Sequence, residues 1–212
     1  DLFNTYPSVI VVGALAASGE KSSYSTAGSA NWISAPGGEY GQANPAMITT
    51  DQEGCDRGYS KSGSGRNAFE NNSNSMNPNC NYTSTFNGTS SAAPNTSAAV
   101  ALLLEANDNL TWREVKHILA TTAKKTHPSI SPVSVSITSG DNYTAEQGWI
   151  TNAAGYHYHN WYGFGAVNID NATDIARTWN QDLGSYQTCN FQASSPNQTI
   201  PASASGLSDN IT

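Results

Sequence analysis

Residues 88–94, Gly-Thr-Ser-Ser-Ala-Ala-Pro, constrain the fold of this chain more than any other stretch. The glycine predicts a tight turn that delivers Ser90 onto the first turn of a helix, and the Ala- and Leu-rich run from Thr96 to Asn107 predicts the body of that helix. A hydroxyl there can attack an electrophile once a base takes its proton, and its own unpaired backbone N–H can hold the resulting oxyanion. The same pattern is typical of a serine that caps a buried helix.

Two further apolar runs predict an α/β fold. Val9–Ala14 is a continuous apolar run, as in a strand buried on both faces of a parallel sheet. Trp32–Ala35 predicts a shorter strand before a Pro-Gly-Gly turn. Residues 128–151 are polar and predict a loop with short strands.

Helices are predicted at three places. Small side chains suggest that the helix after Ser90 lies deep in a domain with its N-terminus at a cleft; they are Ser91, Ala92, Ala93 and Ala98. Thr111 and Glu114 form a capping-box pattern before a helix over residues 112–122. Its apolar residues are spaced for one buried face; they are Val115, Ile118 and Leu119. The last helix is predicted over Val167–Trp179, and its inward residues are Ile169, Ala172, Ile175 and Ala176.

The composition favours one secreted domain. The chain has 212 residues, of which 37% are hydrophobic and 12% charged, enough for one core of medium size. A net charge of −7 disfavours nucleic acid and anionic membranes as partners. No apolar run approaches about 20 residues, so no membrane span is expected. Low Lys with abundant Ser, Thr, Asn and Gly suits an extracellular protein.

The three cysteines predict one disulfide. Cys55 and Cys80 flank a Ser-, Asn- and Gly-rich insertion that could not order itself by burial. Closing a loop of that size would stabilise the fold by roughly 3 kcal/mol. Cys189 then pairs elsewhere or stays free. The alternative is that all three are buried thiols.

All four histidines follow Ser90 in the chain. His157 and His159 alternate and would share one face, which suits a metal pair or a base, but an exposed aromatic-rich loop before Tyr162 is the favoured interpretation. His117 falls within the predicted helix over residues 112–122 and His127 lies in a loop beside Pro128. Neither has the neighbours of a zinc site, and no histidine here is predicted to be catalytic.

Residues 88–94 resemble the catalytic-serine signature of subtilisin-like serine proteases, G-T-S-x-A-x-P. Other segments resemble the same family in the same order, and some are close to its kexin and furin branch; they are residues 6–14, 24–29, 35–37, 102–115 and 162–165. Several motifs in fixed order are more specific than one heptapeptide. The resemblance covers residues 6–180 and implies a subtilisin-like three-layer α/β fold with a parallel sheet.

The resemblance implies that Ser90 is the nucleophile of an acyl-enzyme mechanism. Subtilases place the triad in the order Asp, His, Ser, so the aspartate, the histidine and the oxyanion asparagine are expected before Asp1, outside this chain. Residues 1–184 would then be the C-terminal half of the catalytic domain and nearly inactive alone. Residues 185–212 resemble a linker and the start of the β-sandwich P domain; a plain C-terminal linker is the alternative.

Asp1 is a candidate substrate-binding residue. The kexin branch has an aspartate at the floor of the S1 pocket, shortly before the strand that residues 9–14 match, and a carboxylate there would pair with a P1 Arg or Lys. Asp1 stands about two residues too early for a gapless match, so a loop aspartate is the alternative.

The branch also resembles a calcium-dependent group, which makes a structural calcium ion compatible with the family. One acidic ligand would fall near Thr26, which cannot supply that charge. Asp51 and Glu53 lie in a loop, where solvation is an equal expectation. No residue of this chain is assigned as a metal ligand, and the chemistry itself needs no cofactor.

The sequence therefore predicts a secreted serine endopeptidase that acts on proteins or peptides, with a preference for basic P1 residues. Its partners within the protein would be the upstream half of the catalytic domain and a downstream P domain. The alternative is a catalytically inactive subtilase-like fragment that serves as a structural or binding module.

Overall fold

A computed structural model describes residues 3–41, 43–138 and 141–188. Four strands precede two consecutive helices, and a third helix follows a group of four short strands. The elements are a 3₁₀ turn at Phe3–Thr5, β1 at Val11–Leu15, β2 at Asn31–Pro36, β3 at Met47–Thr50, β4 at Tyr82–Phe86, α1 at Thr89–Ala106, α2 at Trp112–Thr122, β5 at Val133–Thr138, β6 at Asp141–Glu146, β7 at Ile150–Thr151, β8 at His157–Tyr158 and α3 at Ile169–Arg177.

Strands β1 and β2 pair in parallel, with Val12 opposite Ile33 and Ala14 opposite Ala35. Strand β1 begins at Val11 rather than Val9 and keeps the predicted apolar character. Helix α1 packs against both strands and against α3, while α2 contacts β2. The helices therefore bury the strand pair, and the loops at the strands' C-terminal ends meet the start of α1.

Helix α1 begins as the Gly turn predicts, with Ser90 on its first turn and the apolar run from Thr96 as its body. It starts at Thr89, with Gly88 as the N-cap residue and Pro94 inside its second turn. One face is buried, through Ser91, Ala92, Thr96, Ala99 and Leu103. Ala93 and Ala98 are exposed, and Leu102 is 53% exposed. The prediction that the small side chains of α1 are deeply buried is therefore wrong for Ala93 and Ala98, which lie on an exposed face of the helix among the described residues.

The main core lies between α1, α2, α3 and β2. Its fully buried members are Ile33, Leu103, Ile118, Ala172 and Ala176. Helix α2 has the predicted bounds and buried face, and Thr111 and Glu114 form the capping box. In α3 Ile175 is 38% exposed, so its predicted inward position is wrong.

Residues 51–81 form an insertion between β3 and β4, which pair as antiparallel strands. Cys55 and Cys80, the pair assigned to a disulfide by the sequence, are bonded in the structure with their Cα atoms 5.0 Å apart. Strands β5 and β6 pair as antiparallel strands, in agreement with the short strands predicted within residues 128–151.

The segment after α3 packs back on α2. Arg113 donates hydrogen bonds to the carbonyls of Leu183 and Gly184, and Tyr186 contacts Trp112 edge to face. Cys189 and residues 191–212, the proposed start of a P domain, lie outside the described residues.

A membrane-spanning helix is not found within the described parts of the chain.

Candidate active site

Ser90 is the second residue of α1, and its side chain is exposed. It does not cap the helix: Gly88 holds the N-cap position, and no side-chain capping hydrogen bond is found there. Among the described residues, neither the hydroxyl nor the backbone N–H of Ser90 has a hydrogen-bond partner. An open nucleophilic oxygen and an open donor therefore lie side by side at a helix N-terminus, where the helix dipole favours negative charge.

Gly88 gives the turn before Ser90 its shape. Its φ is 104° and its ψ 170°, a combination that essentially only glycine adopts. Its carbonyl accepts the N–H groups of Ser91 at 2.9 Å and of Ala92 at 3.3 Å. The chain thus enters the helix by a sharp turn, and the N–H of Ser90 stays outside the helical ladder.

Tyr24 connects this turn to the loop after β2. Its hydroxyl accepts a hydrogen bond from the Gly88 N–H at 2.8 Å and lies 2.8 Å and 2.6 Å from the carbonyls of Gly37 and Gly38. A Cβ on Gly37 would come within 2.6 Å of the Ala14 Cβ and 3.0 Å of the Gly88 carbonyl oxygen. Only glycine lets these two backbone segments approach so closely.

Two side-chain amides fix the flanks of Ser90. The Asn87 amide donates to the Glu39 carbonyl at 2.8 Å, and the Asn95 amide donates to the Pro36 carbonyl at 3.0 Å. Ala92 packs in a small core with Ala14 and Ala35. The first turn of α1 is therefore held against the C-terminal ends of β1 and β2.

Pro94 removes the usual helical hydrogen-bond donor of the Ser90 carbonyl oxygen. Proline has no N–H, and an amide at this position would bond to the carbonyl four residues earlier, that of Ser90. The helix continues through Pro94 to Ala106. The Ser90 carbonyl therefore lacks its usual helical partner.

The structure does not bring a histidine to Ser90. Within the described residues, no imidazole nitrogen hydrogen-bonds to its hydroxyl. His117 lies against Tyr156 and Trp179. The Nδ1 of His127 lies 3.3 Å from the Tyr162 hydroxyl.

The interpretation of residues 157–159 as an exposed loop is wrong. His157 belongs to β8, and His159 is 1% exposed. Both rings contact the indole of Trp149 edge-on at 5.3 Å. Burial lowers the pKa of His159 against the opposing effect of Glu146, and its Nδ1 accepts the Trp161 N–H at 3.0 Å. These imidazoles are packing residues.

The described residues offer no metal centre, since they contain no group of three or more His, Cys, Asp or Glu able to hold an ion. Thr26 is exposed. The carboxylate of Asp51 accepts hydrogen bonds from the backbone N–H groups of Gln52, Tyr59 and Ser60. Asp51 therefore holds the insertion in place and is not merely a solvated loop residue. Asp1 lies outside the described residues.

Sequence reasoning missed the residues that hold the nucleophile turn. Tyr24 belongs to a segment already recognised by its likeness to the family, but its own role was not inferred. Because its partners lie 13 and 64 residues away in the chain, sequence spacing carries no signal for them. Gly37, in the predicted turn after β2, was the only available hint.

Comparison with known proteins places the chain in a family. Residues 4–165 match the family model described as the subtilase family, Peptidase S8. The Aeromonas extracellular serine protease of Aeromonas sobria is 40% identical over 79% of this chain and 27% of its own length. A PC3-like endoprotease of Hydra vulgaris is 32% identical over 56% of this chain and 14% of its own length.

The fold agrees with these sequence matches. A crystal structure of the serine protease of Aeromonas sobria superposes with a TM-score of 0.75 and 40% identity, covering 83% of this chain and 30% of that one. The chain thus spans less than a third of these relatives. Its matched length and identity are nevertheless sufficient to establish that it belongs to the subtilase family.

Proposed function

We propose that this chain carries the nucleophile of a serine endopeptidase and that Ser90 is that nucleophile. The observation that carries the proposal is the exposed Ser90 hydroxyl on the first turn of α1, beside its own unpartnered N–H. The elements that hold this turn are rigid: two parallel strands, a buried helix face and the Tyr24 hydroxyl.

The reaction is acyl transfer to serine and then to water. A histidine base takes the Ser90 proton as Oγ attacks the scissile carbonyl, and the carbonyl electron pair moves to oxygen. The Ser90 N–H donates to that oxyanion, together with an asparagine side chain. Collapse expels the amine, which takes the proton from the imidazolium, and water then hydrolyses the acyl-enzyme by the same steps.

The histidine, its aspartate partner and the oxyanion asparagine are supplied by residues outside this chain in this proposal. The pair β1–β2 would be part of a larger parallel sheet in a three-layer fold. Residues 1–184 would form the second half of the catalytic domain, and 185–212 a linker and the start of a β-sandwich P domain. The match over residues 4–165 supports a catalytic-domain assignment for that part of the chain.

The proposed substrates are extracellular proteins or peptides with Arg or Lys at P1. The basic preference is what the resemblance to the kexin and furin branch implies, with Asp1 as its candidate carboxylate. Likeness to an extracellular bacterial protease supports secretion. The same enzyme would cleave a peptide with P1 Arg faster than the matched peptide with P1 Gln.

No cofactor takes part in this chemistry. A structural calcium ion is what the resemblance to the family implies, and no residue of this chain is proposed as its ligand.

The test is covalent labelling by a fluorophosphonate, which reports an activated serine. The whole protein, produced with its natural flanking sequence, should label, and Ser90→Ala should abolish labelling. Ser97→Ala is the matched control, because Ser97 is an exposed serine on the same helix; it should label as the unmodified protein does. Labelling that survives Ser90→Ala would refute the assignment, and a folded whole protein without labelling would favour the inactive module.

A further inference from the structure

The disulfide-bonded insertion packs on β4, the strand that leads directly to the nucleophile turn. The Ser60 hydroxyl donates to the Tyr82 carbonyl at 2.5 Å, and the Asn77 amide donates to the same carbonyl at 2.8 Å. Asn67 lies 3.0 Å from the Ser84 hydroxyl. The insertion is therefore a folded wall beside β4.

A buried carboxylate anchors this wall. Glu70 is fully buried, and one of its oxygens accepts hydrogen bonds from Thr83, Thr85 and the Ser84 N–H. Burial alone would raise its pKa, but these bonds, with that of Arg66, outweigh it and hold the pKa of Glu70 below the ordinary value. Glu70 is thus a fixed anion within the wall.

Arg66 lies between this anion and solvent. Its Nη1 is 3.3 Å from Glu70 and donates to Thr85 at 2.8 Å, and its guanidinium stacks over the Tyr59 ring at 5.0 Å. The side chain is 40% exposed. Its Nε and Nη2 donors have no partner among the described residues, so a held guanidinium keeps one edge open.

Arg66 lines an open cavity of about 630 Å³ between the insertion, β4 and Tyr40. Its lining includes Tyr40, Tyr59, Arg66, Phe86 and Asn87. Arg66 is the one charged residue among them. The aromatic rings can cover the aliphatic stem of a guest side chain, while the guanidinium edge suits a carboxylate.

The cavity adjoins the nucleophile by two routes. Phe86 and Asn87 line it and immediately precede Gly88. On its other side Tyr40 contacts Tyr24 edge to face at 5.8 Å, and Tyr24 holds the Gly88 N–H. The cavity therefore lies next to the segment that leads into the nucleophile turn.

We propose that the cavity is a substrate subsite that accepts an acidic side chain, Asp or Glu, near the scissile bond, with Arg66 as its specificity-determining residue. The proposal rests on the proposed function of Ser90.

The experiment uses the whole protein and a peptide series that places Glu or Gln at each position around one cleavage site. At one position the ratio of kcat/KM for Glu over Gln should be about 10, as expected for a charge-assisted hydrogen bond. Arg66→Ala should bring this ratio to about 1, and Arg66→Glu should reverse it. Because both peptides meet the same preparation, the ratio does not depend on the fraction of folded enzyme.

Arg57→Ala is the matched control, since Arg57 lies in the same insertion, is exposed and pairs only with exposed Asp56 among the described residues. Its ratio should equal that of the unmodified protein. The subsite proposal is overturned if Glu is preferred over Gln at none of the positions, or if the preference survives Arg66→Ala. Either result counts even when Ser90 still reacts with fluorophosphonate. Loss of that labelling in the unmodified protein would instead refute the proposed function itself.

Discussion

At the residue scale, the reactivity of Ser90 depends on atoms that do not belong to Ser90. The hydroxyl and N–H are open because Gly88 turns the chain outside the helical ladder and Tyr24 holds the Gly88 N–H in place. A serine with the same local sequence but an unfixed turn would be an ordinary first-turn residue.

Tyr24→Phe removes only the hydroxyl from this arrangement. We expect kcat to fall about 10-fold with KM little changed, because the oxyanion donor is misplaced in the transition state while substrate contacts remain. Stability should fall by about 1 kcal/mol for the lost hydrogen bonds. Steady-state kinetics and thermal unfolding of the whole protein measure both.

Tyr82→Phe is the control for Tyr24→Phe. Its ring is 46% exposed, and its hydroxyl has no hydrogen bond within the described chain, so kcat and stability should both be unchanged. An unaltered kcat in Tyr24→Phe would show that the nucleophile turn is held without this hydroxyl.

At the element scale, helix α2 is joined to the end of α3 by one carboxylate. Glu114 accepts the Thr111 N–H at 2.7 Å, completing the capping box, and it also accepts the Trp179 indole N–H at 2.9 Å. The Thr111 bond chiefly lowers the pKa of Glu114, with the indole bond second, and these outweigh the opposing effect of burial.

Glu114 should therefore make this region acid-sensitive. A lowered folded-state pKa contributes stability that is present above the unfolded pKa of about 4.3 and lost as the pH falls through the folded value. Near pH 6, Glu114→Gln should destabilise α2 by about 1 kcal/mol, and the difference should vanish toward pH 3. Hydrogen exchange of the α2 amides, compared with the unmodified protein at each pH, measures it.

Glu105→Gln provides the comparison, because Glu105 is exposed on α1 and makes no hydrogen bond or ion pair among the described residues. It should leave α2 exchange unchanged at every pH. A Glu114→Gln effect that persists undiminished at pH 3 would contradict the assigned role of the carboxylate.

At the scale of the whole molecule, the nucleophile turn and the disulfide-bonded insertion meet at residues 86–88 but are held by different contacts. The nucleophile turn rests on β1, β2 and Tyr24, whereas the insertion rests on β4, Glu70 and the Cys55–Cys80 bond. Chemistry and selectivity should therefore be separable by a change confined to the insertion.

Removing the disulfide with Cys55→Ala plus Cys80→Ala should lower the unfolding free energy by about 3 kcal/mol, as expected for a loop of this size. Fluorophosphonate labelling of Ser90 should persist at temperatures below the new unfolding midpoint. The preference for Glu over Gln should be lost, because it depends on the insertion that the disulfide holds. Reductant should shift the midpoint of the unmodified protein by more than that of the variant. Loss of labelling in a folded variant would show that the insertion supports the nucleophile as well.

Local rules determined much of this protein from its sequence. Helix α2 and its cap follow from Thr111, Glu114 and the apolar spacing, and β1 and β2 follow from apolar runs, because these features depend on neighbours within one turn or one strand. The G-T-S-x-A-x-P pattern likewise singled out Ser90 before any coordinates. The start of α1 also follows from the sequence, since the glycine predicts a turn that delivers Ser90 onto the first turn of a helix, and the helix begins at Thr89.

Only the tertiary structure decided what surrounds Ser90. The bond from Gly88 to Tyr24 spans 64 residues, and the bond from Glu70 to Thr83 spans 13 across an irregular loop. The burial of His159 against Trp149 was likewise invisible in an aromatic-rich stretch that favoured an exposed loop. Such contacts depend on how distant segments pack, and side-chain type constrains packing partners too weakly for sequence to specify them.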